Sequence, residues 1–503
     1  MKFRGKPPFL AACLALACGL SPAARAEGLS PVACWFTVPA DFKVACYRLQ
    51  VPESRAGKSA LELSLPVAVV SVPGERKYED PIVYLAGGPG DGAWLDSDRI
   101  TWWWDFIDDN AWVRERDLVL VDQRGTGLTE PRMDCPELQA AAVAELGLGG
   151  DYAAAAKLNR EATAACLKRV TAAGHDPSAY DTRESAIDLH DLFQALGRPP
   201  WNVYGLSYGT RFALTYMRDF PGDIRSAILD SVVPLQAHFF EDGAWVTDRA
   251  FRTLFAGCVA DRKCRRDYPD LRADLESLVR ELNDRPFQAT RPNPLGEGTT
   301  KIAVTGDLLL GHLFSNLYNR ADIENVPRII EAFKQRREKV MDQEIDYILD
   351  DTAGRDDFGD GLWISASCLE EAPFNDLTRA RAAYAAYPML KGFAAIPDVT
   401  DACDLWVQKP VDPLDGRAVE SDIPSLVLSG AYDPVTPPQY ARLAAAGLHR
   451  SFYFEFPGAG HDVLGNEPCA DALAGQFLDN PGIMPTHPCL GQLTTPDFAA
   501  PDK

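Results

Sequence analysis

The chain has 503 residues, a hydrophobic fraction of 46% and a formal net charge of −22. That length exceeds one minimal domain and suits a large α/β core carrying an inserted subdomain. So acidic a chain argues against nucleic acid and anionic lipid as partners, and it favours cationic or amine-bearing ligands.

Residues 1–26 combine basic Lys2, Arg4 and Lys6, an apolar stretch and the A-x-A site Ala24-Arg25-Ala26. This is the form of a signal peptide cleaved after Ala26, so export to a periplasmic or extracellular space is expected. No other run approaches the roughly 18 apolar residues of a membrane-spanning helix, and no stable membrane insertion is expected. Cleavage removes Cys13 and Cys18, leaving an even number of cysteines in an oxidising compartment. Neighbours group as Cys34/Cys46, Cys135/Cys166, Cys258/Cys264, Cys368/Cys403 and Cys469/Cys489, five local disulfides. With no C-x-x-C, no H-E-x-x-H and no clustered histidine, neither a metal nor an organic cofactor is expected.

Strands are expected at Leu61–Val72, Pro81–Leu85 and Asp117–Val121. A helix over Ser185–Leu196 opens on the cap Asp181-Thr182-Arg183-Glu184. Trp201 to Tyr204 suit a strand, Arg211 to Arg218 carry a helical period ending at Pro221, and Ser226–Leu229 reads as a strand. Such alternation predicts an α/β fold with a mostly parallel sheet covered by helices on both faces. From 239 to 414 the pattern changes to helices with long polar connections, an inserted mainly helical cap. Strand signals return at Pro424–Leu428 and Ser451–Phe456 and complete the sheet. The expected organisation is a signal at 1–26, a first core part at 27–238, the cap at 239–414 and a second core part at 415–503. The tail after Cys489, rich in Pro, Asp and Thr, is expected to be loosely ordered.

Between strand and helix, Gly205-Leu206-Ser207-Tyr208-Gly209 sets a hydroxyl between two glycines. A strand that turns at once into a helix leaves no room for side chains beside the turn, and it holds the serine at a helix N-terminus, where N–H groups can face an anion. Acyl transfer by that serine needs a base, an orienting carboxylate and oxyanion donors. Apolar strands ending in turns present Asp433, in Ser429-Gly430-Ala431-Tyr432-Asp433-Pro434, and His461, in Gly458-Ala459-Gly460-His461. Asp462 adjoins the histidine too closely to orient its far nitrogen, and Asp230 follows another strand, where it caps or braces the core. The oxyanion donors are expected from the glycine-rich loop Ala86-Gly87-Gly88-Pro89-Gly90, at Gly88, and from the N–H of Tyr208. No phosphate-binding glycine motif is present, so a nucleotide role is not expected.

With Asp122-Gln123-Arg124-Gly125-Thr126-Gly127 and Tyr432-Asp433-Pro434-Val435-Thr436-Pro437 added, these motifs resemble the peptidase branch of the α/β-hydrolases, the proline iminopeptidases and secreted tripeptidyl aminopeptidases, whose tripeptidyl-type C-terminal region it shares. The resemblance runs from about Cys34 to Cys489. It implies Ser207 as nucleophile, Asp433 as orienting acid, His461 as base, and Gly88 and Tyr208 as oxyanion donors. It also implies a peptide substrate with a free N-terminus, its ammonium held by acidic cap residues, for which Glu370 and Glu371 stand in a comparable place. Ala86 departs from the usual histidine and Asp91-Gly92-Ala93 from the usual Gly-Ser-Gly type, which leaves the specificity open. Trp102, Trp103 and Trp104 suit either an apolar subsite or a helix packed on the core. The expected activity is a secreted serine exopeptidase, with a carboxylesterase or lipase of the same triad as the alternative and a non-catalytic binding protein as a remote one. The oligomeric state is open.

Overall fold

The computed structural model describes residues 28–354, 357–406 and 409–501. The signal-peptide expectation at 1–26 lies outside them. The described residues form eleven strands: β1 Leu29–Val32, β2 Lys43–Pro52, β3 Glu62–Ser71, β4 Ile82–Leu85, β5 Leu118–Val121, β6 Trp201–Leu206, β7 Ile224–Asp230, β8 Phe287–Pro292, β9 Thr299–Val304, β10 Ser425–Gly430 and β11 Ser451–Phe456. Nine form one sheet in the order β1-β2-β3-β5-β4-β6-β7-β10-β11, and β8 pairs with β9 in a separate hairpin. The pairings from β1 to β5 are antiparallel, and those from β5 through β4, β6, β7 and β10 to β11 are parallel.

The central strands β4, β5 and β10 are buried along their whole length, as both faces of the sheet are covered. On one face Leu189 and Leu192 of helix Thr182–Leu196 pack with Phe212 of helix Tyr208–Asp219 and Ala441 of helix Pro438–Ala445. On the other, Trp103 and Ile107 of helix Ile100–Asp109 meet Leu473 and Phe477 of helix Pro468–Asp479. Trp103 and Trp104 are therefore core residues, and for them the apolar-subsite reading gives way to packing, whereas Trp102 is exposed and stacks on Phe106. Register levels the carboxyl ends: Leu85 lies beside Gly205, Leu206 beside Asp230, and Gly430 beside Phe456. The loops after β4, β6, β7, β10 and β11 thus emerge at one edge of the sheet.

Residues 239–402 hold a run of helices around a third apolar cluster that includes Phe251, Leu254, Leu309, Ile330 and Ile345. Two departures from expectation concern this cluster. The β8–β9 hairpin lies within the helical stretch; β8 alternates in burial but with few apolar residues, and β9 is exposed at its start and buried through Ile302, Ala303 and Val304, so neither strand shows a clear period of two in the sequence. Val143, from the helix Pro136–Glu145 between β5 and β6, and Leu146 at its C-cap also join the cluster. The tail is likewise a correction, being packed and not loose. Phe498 enters the same cluster and is only 1% exposed, and the Arg320 guanidinium donates to Thr494 and to the carbonyl of Thr495. Burial of one aromatic ring and a multivalent arginine outweigh the disordering composition.

All five local cysteine pairs are joined as disulfides. No helix among the described residues is long and apolar enough to cross a membrane.

Candidate active site

Ser207 sits between β6 and helix Tyr208–Asp219 with φ 56° and ψ −125°, a left-handed conformation that a non-glycine residue holds only when its surroundings impose it. The glycines explain how the elbow closes. A Cβ on Gly209 would lie 2.0 Å from the Leu85 carbonyl oxygen, and one on Gly205 would lie 2.5 Å from the Gly209 oxygen. The Ser207 N–H donates to the Asp230 carbonyl at 3.0 Å, tying the elbow to β7. Tyr208 is the first helical residue, so its N–H has no intrahelical acceptor. Gly87 lies against the serine, a Cβ there standing 3.2 Å from Ser207 Cβ, and Gly88 lines one cavity of about 580 Å³ together with Ser207 and Tyr208.

Asp433 and His461 come together after β10 and β11. His461 Nδ1 hydrogen-bonds Asp433 Oδ2 at 2.9 Å, and Asp433 is wholly buried. The remaining capacity of the carboxylate is filled by the N–H groups of Val435 and Thr436 on Oδ1 and by the Thr436 hydroxyl on Oδ2. Burial would raise this carboxyl, but His461 and the Thr436 hydrogen bonds outweigh it and hold it below its usual 3.8. Burial would lower the imidazole, but the Asp433 charge and hydrogen bond prevail and hold it above its usual 6.5. No hydrogen bond joins Ser207 Oγ to the ring among the described residues; such contacts commonly tighten only on substrate binding.

Asp230, expected to cap or brace the core, holds the histidine loop. Its carboxylate accepts the N–H groups of Val463 and Leu464 at 2.8 to 3.1 Å, while burial lifts it to about 6. Two supports went unread in the sequence because they come from the helical run of residues 239–402. Arg249, on helix Phe239–Ala260, donates to the carbonyls of Ala431 and Asp433, and the Tyr318 ring packs on His461 with centroids 4.9 Å apart.

Glu370 and Glu371 lie on a widened helical turn, Ser367–Glu371, around the buried Arg211, one helical turn past the serine. Their surroundings differ. Glu370 accepts from the Thr182 N–H and hydroxyl, both at 2.6 Å, and from Arg211 at 3.3 Å. Glu371 meets Arg211 at 2.7 Å and lines the Ser207 cavity, where burial pushes its carboxyl up to about 7. The closest approach to a metal cluster among the described residues, Cys135, Glu137 and Cys166, has its two sulfurs joined as a disulfide and offers no thiolate.

The family model described as alpha/beta hydrolase fold matches residues 80–468. The chain belongs to this family. Among its relatives, the putative hydrolase YuaR of Escherichia coli (strain K12) is 23% identical over 92% of both chains. The serine protease Hip1 of Mycobacterium tuberculosis is 24% identical over 58% of both chains. The tripeptidyl aminopeptidase of Streptomyces coelicolor is 29% identical over 38% of this chain and 35% of its own.

Proposed function

We infer that this hydrolase is an exported serine exopeptidase that removes residues or short peptides from a free N-terminus through an acyl-enzyme. The observation that carries the reading is the wall of the Ser207 cavity. There Glu371 faces the Arg211 guanidinium, which Glu370 also engages from behind the lining, so two carboxylates share one positive charge beside the elbow serine. A substrate ammonium entering a buried cavity needs such a partner, and Glu371, the member that lines the cavity, holds it in this reading. The relatives named serine protease and tripeptidyl aminopeptidase support a peptide substrate. The signal-like first 26 residues and the five disulfides support a periplasmic or extracellular location.

In this mechanism Ser207 Oγ attacks the scissile carbonyl and passes its proton to Nε2 of His461, whose Nδ1 is held by Asp433. The oxyanion is stabilised by the N–H groups of Gly88 and Tyr208. The C–N bond breaks as His461 returns the proton to the leaving amine. Water then attacks the ester by the same route and frees Ser207.

The test is a panel of Pro-, Ala- and Ala-Ala-Pro-arylamides with free and acetylated N-termini, plus a short acyl ester, each repeated with Ser207→Ala. Cleavage of free-amine arylamides that acetylation and Ser207→Ala both abolish is the expected result, and it also shows the length of the released unit. Turnover of the ester alone would sink the peptidase reading and leave a carboxylesterase.

A further inference from the structure

The turn Asp122-Gln123-Arg124-Gly125-Thr126-Gly127 has no part in the proton transfers, yet it lies at the same edge of the sheet as Ser207. It follows β5, and the glycine-rich loop follows the neighbouring parallel strand β4, with Tyr84 beside Leu120. The two connections leave the sheet side by side, and polar side chains of the first reach the backbone of the second. Gln123 takes the start of the glycine-rich loop: its Nε2 donates to the Ala86 carbonyl at 3.0 Å, and the side chain is buried. Asp122 takes the end. Its Oδ1 accepts the Ala93 N–H at 2.6 Å, and its Oδ2 accepts the Leu128 N–H at 2.7 Å. Between these ties, the Gly90 carbonyl accepts the Gly359 N–H at 2.8 Å.

The turn itself is fixed. The Gln123 carbonyl accepts the hydroxyls of Thr126 and Thr129 at 3.0 and 2.9 Å. On the far side, the buried Arg124 guanidinium donates to both oxygens of Asp188 at 2.8 Å and to the carbonyls of Glu53 and Ala179. One detail separates Gln123 from ordinary packing: its Oε1 is buried and has no hydrogen-bond partner among the described residues. A buried amide oxygen left unpaired costs stability. A methionine of similar length would avoid that cost, but it could not hold Ala86, so what this position retains is the donor. The peptide unit is planar, and fixing the Ala86 carbonyl also fixes the Gly87 N–H and the course of the chain into Gly88. Glycines have wide backbone freedom, and Gly88 stands at φ 102°; a donor on such a loop keeps one direction only if the loop is tied.

We propose that Gln123 is a positioning residue of this hydrolase: with Asp122 it holds the glycine-rich loop at both ends, so that the Gly88 N–H is aimed at the oxyanion before substrate arrives. The inference rests on the acyl-enzyme reading, in which Gly88 is an oxyanion donor. Preorganisation of this kind acts on the transition state and leaves ground-state binding alone.

The experiment compares the wild type with Gln123→Met and with Gln123→Asn, whose amide falls one methylene short of Ala86. Active sites are counted by labelling to completion with a fluorophosphonate, and every rate is expressed per labelled serine. Two rates should fall together by roughly ten- to hundredfold, less than the about 10²–10³ of deleting a donor outright. They are kcat on the best free-amine arylamide and the rate constant of phosphonylation, in which the phosphoryl oxygen takes the oxyanion's place. The inhibition constant of the released product, and the acid limb of the pH profile that reports His461, should stay at their wild-type values. Wild-type rates per labelled serine overturn the proposal. So does a loss confined to the product constant, which makes Gln123 part of the binding wall, or fewer labelled serines each working at full rate, which makes it structural. Should Gln123→Met fail to fold, Gln123→Asn carries the same comparison, and failure of both to fold also makes Gln123 structural. A wild type that takes no label fails the serine-hydrolase reading instead. One that takes the label but cleaves no arylamide fails the exopeptidase reading, and the phosphonylation rates then decide the role of Gln123.

Discussion

Replacing Gly460 by alanine should cost most of the activity while leaving a folded protein. A Cβ at this position would lie 2.3 Å from the carbonyl oxygens of both Leu317 and Tyr318, against a closest real approach of about 3.0 Å, so something must yield by about 0.7 Å. Both obstacles are backbone and neither can rotate away. The strain is therefore divided between the cap segment that carries Tyr318 and the loop that carries His461. Overpacking of this kind costs about 1–3 kcal/mol of stability. A displacement approaching 1 Å at a catalytic group costs on the order of 10²-fold in rate, or about 2.7 kcal/mol of transition-state stabilisation. The assay is kcat/KM on the best free-amine arylamide, with the melting temperature measured alongside. Wild-type turnover at an unchanged melting temperature would refute the reasoning, because it would mean that the cap is not seated on the histidine loop.

Asp433→Asn should reduce kcat by about 10⁴-fold, the loss of an imidazole held in the wrong tautomer. The pH profile gives a second readout. In the proposed mechanism His461 acts as a base only when neutral, and its raised pKa places the acid limb of kcat/KM above its usual 6.5, so rate should fall as pH falls through that limb; removing the Asp433 charge should move the limb to lower pH. Glu371→Gln should raise KM for free-amine substrates by roughly tenfold while leaving turnover of a short acyl ester, which carries no ammonium, little changed. In the wild type, preference for the free amine should fade as pH falls below about 7, where the Glu371 carboxyl takes up its proton. Replacing Cys368 and Cys403 together by serine should cost roughly 3–4 kcal/mol by urea titration, as the closed loop spans 35 residues and tethers the turn that carries Glu371.

The sheet was legible wherever apolar runs are short and bounded by turn residues. The strand expected from Pro81 appears as β4, β11 coincides with Ser451–Phe456, and Asp181 caps its helix by accepting the Glu184 N–H as the capping pattern suggested. β1 and β2 were not read. β2 is only half buried and mixes Lys43, Arg48 and Gln50 with its apolar residues, so it owes its strand to the continuous pairing with β3 from Lys43 to Pro52. In the site, Ser207, Asp433 and His461 each announce themselves through local turn chemistry, and the structure brings Asp433 and His461 into one hydrogen bond. The difference between Glu370 and Glu371 was not readable. It depends on Thr182 and Arg211, more than a hundred residues earlier in the chain, which engage the first carboxylate and turn the second towards the cavity. Arg249 and Tyr318 were hidden for the same reason, since nothing near them in the chain marks them as partners of loops in the second half of the sheet.

The disulfides have an order as well as a geometry. Taken from the N-terminus, each cysteine of the described chain is bonded to the next one not yet used, with separations of 6 to 35 residues and no bridge spanning another. A chain threaded N-terminus first into an oxidising space would therefore meet its correct partner each time a second thiol arrived. Oxidation in order of arrival then reaches the native connectivity with no need for an isomerase, and a host equipped only to form disulfides could still make this protein.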